Sequence, residues 1–149
     1  MREVIPTIRP YAVGDLDALV AIEEASVPSA WSRDVLERFL QRQDSDCYVI
    51  EQSERVVGFF LVIYEPDGLH MANLAVDPEF RRRGLALLAL DWIEELAKER
   101  GAERIALEVR ETNLAAQLLY RKAGYRAIKI VSDYYPDEEA YRMVKRFDE

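Results

Sequence analysis

The sequence predicts an α/β (α+β) fold in which a mixed sheet carries four helices on both faces. Three observations predict it. Strand-like and helix-like segments follow one another as β-α-α-β-β-β-α-β-α-β-β, so strands occur both in runs and in alternation with helices. Leu85, Leu88, Ala89, Trp92, Ile93, Leu96 and Ala97 recur at the spacing of one helix face. The 149 residues contain no linker, internal repeat or biased tract, so residues 1–149 read as one domain able to bury a core.

The elements follow in order. Val4 to Arg9 has the pattern of a short strand, closed by Pro10. Gly14-Asp15 precedes Leu16, Leu19, Val20 and Ile22, a helical spacing with Asp15 as the expected cap. A loop through Pro28 leads to Trp31-Ser32, and Ser32 is placed to cap a second helix carrying Val35, Leu36, Phe39 and Leu40. Cys47 to Gln52 and Arg55 to Tyr64 are β-rich and flank Ser53-Glu54, which predicts a hairpin. Pro66-Asp67-Gly68 is a turn signal before a strand from Leu69 to Val76. The third helix, from Leu85, ends before Gly101, where a left-handed residue is wanted. Ile105 to Val109 reads as a short strand. Asn113 is placed to cap a fourth helix with Ala116, Leu119, Tyr120 and Ala123 inside and Gly124 as its stop. Tyr125 to Ser132 and Glu139 to Phe147 are the last strands, joined through Asp133-Tyr134-Tyr135-Pro136-Asp137.

Composition narrows the function classes. Half the residues are hydrophobic and 32% charged, which excludes collagenous, low-complexity and disordered chains. A net charge of −8 argues against general nucleic-acid binding. The single cysteine, Cys47, rules out an internal disulfide and fits a reducing compartment. The longest apolar run, Val56 to Tyr64, is far short of the about 20 residues a membrane span needs. The start, Met1 to Pro6, lacks the apolar core of a signal peptide, so a cytoplasmic domain without membrane association is expected. The charge is uneven: residues 77–132 hold 11 basic and 9 acidic side chains, whereas residues 1–76 hold 6 and 13, and residues 133–149 hold 3 and 6. The middle of the chain is therefore the region suited to an anion.

Within it, Asn73 to Ala86 runs from a strand through a turn into the third helix. Arg81, Arg82 and Arg83 lie at the helix start, where the macrodipole is already positive, and Asp77 and Glu79 are expected to offset only part of that charge. Free backbone N–H groups, a glycine at Gly84 and excess positive charge describe an anion site better than a solvated arginine cluster.

Arg81-Arg82-Arg83-Gly84-Leu85-Ala86 resembles the pyrophosphate-binding signature Arg/Gln-x-x-Gly-x-Gly/Ala of the GNAT superfamily of N-acetyltransferases. The preceding Asn-Leu-Ala-Val-Asp-Pro and the later Leu-Glu-Val-Arg-Glu-Thr-Asn and Leu-Tyr-Arg-Lys-Ala-Gly-Tyr also match, so the resemblance covers nearly the whole chain. Trp31-Ser32, Leu107 to Arg110 with Asn113, Leu119-Tyr120 with Gly124-Tyr125, and Tyr134-Tyr135-Pro136 resemble the ribosomal-protein-alanine N-acetyltransferase (RimI) type. The resemblance implies a twisted, mostly antiparallel sheet of six to seven strands. It implies acetyl-CoA as cosubstrate, with the backbone of Leu74, Ala75 and Val76 holding the acetyl-pantetheine arm. Arg81, Arg82, Arg83, Gly84, Leu85, Ala86 and Leu87 would surround the pyrophosphate, and Asn113 would bond the pantetheine or nearby backbone.

Acetyl transfer to an amine requires the amine to lose a proton and the thiolate to gain one. The RimI resemblance implies Glu108 as the base and Tyr120 as the acid. A carboxylate inside a strand is costly unless its face opens on a polar cleft, and that supports the reading; a structural pair with Arg110 or Arg126 is the alternative. Tyr120 also continues an apolar stripe, so it is expected to pack and donate at once. Trp31, Tyr134 and Tyr135 would line the acceptor groove. His70, the only histidine, is expected to be a partly exposed strand residue rather than a rival base. Cys47 is expected to be a small buried residue, and no cluster has metal-ligand spacing. The RimI resemblance implies a protein N-terminus as acceptor, such as that of a ribosomal protein, and the acidic segments expected to meet it suit a basic one, although they suit a polyamine equally well. A lysine, polyamine or small-molecule amine is the alternative acceptor, and a non-catalytic acyl-CoA-binding module the alternative class.

Overall fold

The computed structural model describes residues 4–26 and 31–147; Pro28, expected in a loop, lies outside them. Seven strands and four α-helices alternate as β1 (Thr7–Pro10), α1 (Leu16–Glu24), α2 (Arg33–Leu40), β2 (Ser45–Gln52), β3 (Arg55–Glu65), β4 (Gly68–Val76), α3 (Leu85–Glu99), β5 (Arg104–Arg110), α4 (Leu114–Lys122), β6 (Arg126–Val131) and β7 (Ala140–Arg146). The element order is the one the sequence predicts. One sheet runs β1-β2-β3-β4-β5-β7-β6, and every neighbouring pair is antiparallel except β4–β5.

Each face of the sheet buries its own cluster. Leu19, Val20 and Ile22 of α1 join Leu36 of α2 against Val49, Phe59 and Ala75. On the other face, Leu85, Ala89, Leu90, Ile93 and Ala97 of α3 and Tyr120 of α4 meet Phe60, Val62, Leu69, Met71 and Leu107. The β2–β3 hairpin turns on Ser53 and Glu54 with φ of 54° and 62°, the two-residue geometry that matches strand twist.

Local details differ from expectation for identifiable reasons. Asp15 stands at the start of α1 but does not cap it with its side chain. Its carboxylate instead accepts the Ala12 N–H at 2.8 Å and two bonds from Arg9, closing the short 3-10 turn Val13–Asp15. Trp92 falls on the edge of the α3 stripe and is 40% exposed, its ring against Tyr48, while Leu90 takes the buried place. β1 begins at Thr7 rather than Val4, and Tyr125 is buried ahead of β6 rather than within it.

Two bulges shape the centre of the sheet. Leu61 pairs with Asn73 and Val62 with Met71, which leaves Ala72 as a surplus residue in β4. A similar shift between Ile50 and Glu51 leaves Val57 surplus in β3. Bulges bend a strand and interrupt pairing. The parallel pairing of β4 with β5 covers only Gly68 to His70, against Arg104 to Ala106. From Met71 onward the β5-facing side of β4 has no strand partner, and a cleft opens there. No helix among the described residues is long and apolar enough to cross a membrane.

Candidate active site

The cleft holds two adjoining cavities. A channel of about 900 Å³ runs along the end of β4 and the start of α3, and a smaller cavity of about 220 Å³ lies deeper between β4 and β5. Ser26, Leu74, Ala75, Arg110, Asn113 and Tyr120 are among the residues that line both.

The channel gathers most of the residues that the signature pointed to. Leu74, Ala75, Val76, Arg81, Arg82, Gly84, Leu85, Ala86, Leu87 and Asn113 all line it. Helix α3 begins at Gly84 with φ +78° and no side-chain cap, so its first N–H groups are free for a ligand. Arg82 is also left-handed at φ +63°. Asp77 and Glu79 turn to Arg55, at 3.4 and 3.8 Å, and Arg81, Arg82 and Arg83 form no ion pair among the described residues. Arg81 Nε bonds the Val76 carbonyl at 3.3 Å. Arg83 departs from expectation. The two left-handed residues flanking it turn the chain sharply, and its guanidinium lies 4.7 Å over the ring of Phe80, so it meets the channel through Phe80 rather than lining it directly. Asn113 Oδ1 caps α4 by accepting the Ala116 N–H at 3.1 Å, which leaves its Nδ2 for a ligand.

The smaller cavity brings together Glu108, Tyr120, Trp31, Tyr134 and Tyr135. The Glu108 side chain is 1% exposed. His70 Nε2 donates to its Oε1 at 2.5 Å, and Arg142 Nε donates to its Oε2 at 2.7 Å. Burial alone would raise its pKa, but the hydrogen bonds and charges of His70 and Arg142 prevail and hold it below the ordinary glutamate range. The structural partner weighed for Glu108 is therefore Arg142, not Arg110 or Arg126. His70 is the partly exposed strand residue that the sequence predicts, 22% exposed in β4, and it also touches the Glu108 carboxylate directly. Tyr120 is 8% exposed, and burial pushes its phenol above the usual tyrosine range.

The remaining walls are fixed by packing. The Trp31 ring stacks on Phe39 at 4.3 Å, and its backbone N–H donates to Glu23. Tyr134 and Tyr135 meet edge to face at 4.9 Å, and the Arg110 guanidinium lies 4.1 Å over Tyr135. Arg110 Nη1 also bonds Asp137 at 2.8 Å and Glu138 at 2.7 Å, while Glu138 accepts the Thr112 N–H. The loop before β7 is thus clamped to the end of β5. Cys47 lines neither cavity, and burial pushes its thiol up to about 12. Among the described residues no group of three His, Cys, Asp or Glu side chains could hold a metal ion.

The sequence reading missed the involvement of Arg142, Arg110 and Glu23, and it discounted His70. Glu23 and Arg110 line the cavity, and His70 and Arg142 bond the Glu108 carboxylate, through strand register or helix packing that spacing along the chain does not reveal.

Comparison with known proteins bears on this geometry. The model of the acetyltransferase (GNAT) family matches residues 16–125. The chain is similar to the ribosomal protein bS18-alanine N-acetyltransferase of Salmonella typhimurium, 30% identical over 140 residues that cover 91% of this chain and 90% of that one. Among solved structures it is similar to the ribosomal-protein-S18-alanine N-acetyltransferase from Escherichia coli, with a TM-score of 0.88 and 28% identity over 95% of this chain and 94% of that one. It is also similar to Ard1 from Thermoplasma volcanium, with a TM-score of 0.88 and 26% identity over 97% and 99% of the two chains.

Proposed function

Because the chain belongs to the acetyltransferase (GNAT) family and is an acetyl-CoA-dependent N-acetyltransferase, we propose that its acceptor is the N-terminal α-amine of a protein such as a ribosomal protein. One observation carries the reading: the cavity lined by Glu108 and Tyr120 adjoins the arginine-edged channel, so an amine and a thioester can meet at those two side chains. The relatives named as acting on ribosomal protein bS18 support the acceptor class.

The channel fits the cosubstrate. An uncapped helix start, a left-handed glycine with nothing within 4 Å of where a Cβ would stand, and two arginines that form no ion pair among the described residues suit a pyrophosphate. The β5-facing edge of β4 from Leu74 to Val76, which has no strand partner, offers backbone groups to a pantetheine arm, and an N–H near Val76 would hold the acetyl carbonyl oxygen. Acetyl-CoA supplies the activated acetyl group. Glu108, kept ionised by His70 and Arg142, takes a proton from the incoming ammonium, directly or through a water. The amine nitrogen then bonds the acetyl carbon and the carbon–sulfur bond breaks; Tyr120, kept protonated by burial, gives a proton to the departing sulfur and regains one as the nitrogen loses its second proton.

Because the reacting form is the ammonium and Glu108 stays ionised below the ordinary glutamate range, kcat/KM should hold as pH falls below the amine pKa of about 8 and drop only where Glu108 itself takes up a proton. The acceptor test is mass spectrometry of basic N-terminal peptides, lysine side chains and polyamines after incubation with acetyl-CoA. Acetylated α-amines are expected; acetylation confined to polyamines or lysines would overturn the acceptor reading.

A further inference from the structure

Besides the Glu108 side chain, three charged residues are buried among the described residues: Asp15, Glu23 and Arg110. Two have countercharges, since Asp15 pairs with Arg9 and Arg110 with Asp137 and Glu138. Glu23 has none among the described residues. It lies near the end of α1, 5% exposed, and lines the smaller cavity together with Glu108. Its Oε2 accepts the Trp31 backbone N–H at 2.7 Å and its Oε1 accepts Asn73 Nδ2 at 2.9 Å. Both donors are neutral. Each carboxylate oxygen can accept a further hydrogen bond, so the group is oriented but not saturated.

A carboxylate withdrawn from water without a countercharge is costly, and such groups are normally paired. Glu108 is in the opposite condition, because His70 and Arg142 already bond both its oxygens. The uncompensated negative charge on the cavity wall therefore belongs to Glu23. A ligand that completes it must be cationic, rich in hydrogen-bond donors and small, which describes a primary ammonium.

We propose that Glu23 is the subsite that receives the acceptor's ammonium group before it is deprotonated at Glu108. The inference rests on the reading that the acceptor amine enters this cavity. No bond forms or breaks at Glu23. It draws in the protonated amine, the form that dominates at neutral pH, and the proton leaves afterwards to Glu108. Its bonds to Trp31 and Asn73 keep the carboxylate aimed while linking the acceptor-side loop to β4.

The test compares a basic peptide bearing a free α-amine with its des-amino analogue, each titrated by calorimetry into the protein saturated with CoA. On the native protein the free-amine peptide should bind ~10- to 100-fold more tightly, the range of a charge-assisted hydrogen bond. In Glu23→Gln that gap should close, with the des-amino affinity and the affinity for CoA unchanged. The acceptor KM should rise more than kcat falls. A gap that survives in Glu23→Gln overturns the proposal and leaves Glu23 a brace for Trp31 and Asn73. If Glu23→Gln fails to fold, equal affinities of the two peptides for the native protein overturn it, and a partial gap in Glu23→Asp, which keeps the charge but withdraws it, supports it. Should the native protein acetylate only polyamines, the N-terminal reading fails, and the same comparison with that amine and its hydroxyl analogue decides the role of Glu23.

Discussion

Arg142 stands directly opposite Glu108 across the β5–β7 ladder, and its Nε donates to the Glu108 carboxylate at 2.7 Å. With His70 on the other oxygen, the carboxylate is pinned from both neighbouring strands. Its position is therefore set by strand register, while its charge is preserved by two partners.

Replacing Glu108 with Gln keeps the shape and removes the base. Turnover should fall about 100-fold or more, the lower bound for loss of general base catalysis. Glu108 lines the smaller cavity but not the channel, so acetyl-CoA affinity should stay within twofold or so of native by calorimetry. Native turnover in the variant would remove Glu108 from the mechanism.

Tyr120→Phe isolates the hydroxyl from the ring. The ring remains packed near Tyr125, so thermal unfolding should shift little, whereas kcat should drop on the order of 100-fold. Steady-state kinetics beside a melting curve separate the two roles. Loss of stability with native kcat would make Tyr120 a packing residue only.

Gly84→Ala tests the channel. A Cβ at Gly84 meets no atom within 4 Å, so the penalty comes from φ +78° alone, about 1–2 kcal/mol of backbone strain. The melting temperature should fall modestly, and acetyl-CoA should bind more weakly as the helix start shifts. An unchanged Kd for acetyl-CoA would show that the cosubstrate does not depend on this turn.

Acid stability should report on Asp15. The Arg9 hydrogen bonds outweigh burial and hold its carboxyl below the ordinary aspartate range. A pKa depressed in the folded state gives stability that is present above the unfolded value, about 3.9, and is lost as pH falls through the folded value. Asp15→Asn should cost about 1–3 kcal/mol at neutral pH, and much less at a pH below the folded pKa. Urea unfolding at both pH values checks the sign, and an equal loss at both would contradict it.

Salt dependence examines the acidic acceptor side. Raising ionic strength from 0.1 to 1 M shortens the screening length from about 10 to 3 Å, so the KM for a basic peptide should rise. A KM indifferent to salt would mean that surface charge plays no part in recruiting the acceptor.

The element order and the sheet with helices on both faces were legible in the sequence because hydrophobic period and turn chemistry are local properties. Ser32 and Asn113 cap their helices as the local pattern requires, at 3.2 and 3.1 Å. The gathering of Leu74 to Val76 with Arg81, Arg82 and Gly84 to Leu87 was legible too, because one strand-turn-helix segment carries all of them. What escaped was non-local. His70 lies 38 residues from Glu108, and Arg142 lies 34 residues from it. Neither contact is implied until the pairing of β4, β5 and β7 is known. Arg83 escaped for a different reason: a run of three arginines looks uniform in sequence, yet the turn sends the third one over Phe80.

The surplus Ala72 in β4 carries a further consequence. Strand side chains alternate, so Leu69 and Met71 should share a face with residues 73 and 75. Instead Leu74 and Val76 pack with Leu69 and Met71, while Ala75 joins the opposite cluster. The strand thus changes phase by one residue at the place where the cleft opens. The same offset that parts β4 from β5 also assigns the rest of the strand to its two cores, so opening and packing are a single trait. Removing the surplus residue would exchange the inner and outer faces of half a central strand, so deleting Ala72 would disturb both cores as well as the cleft.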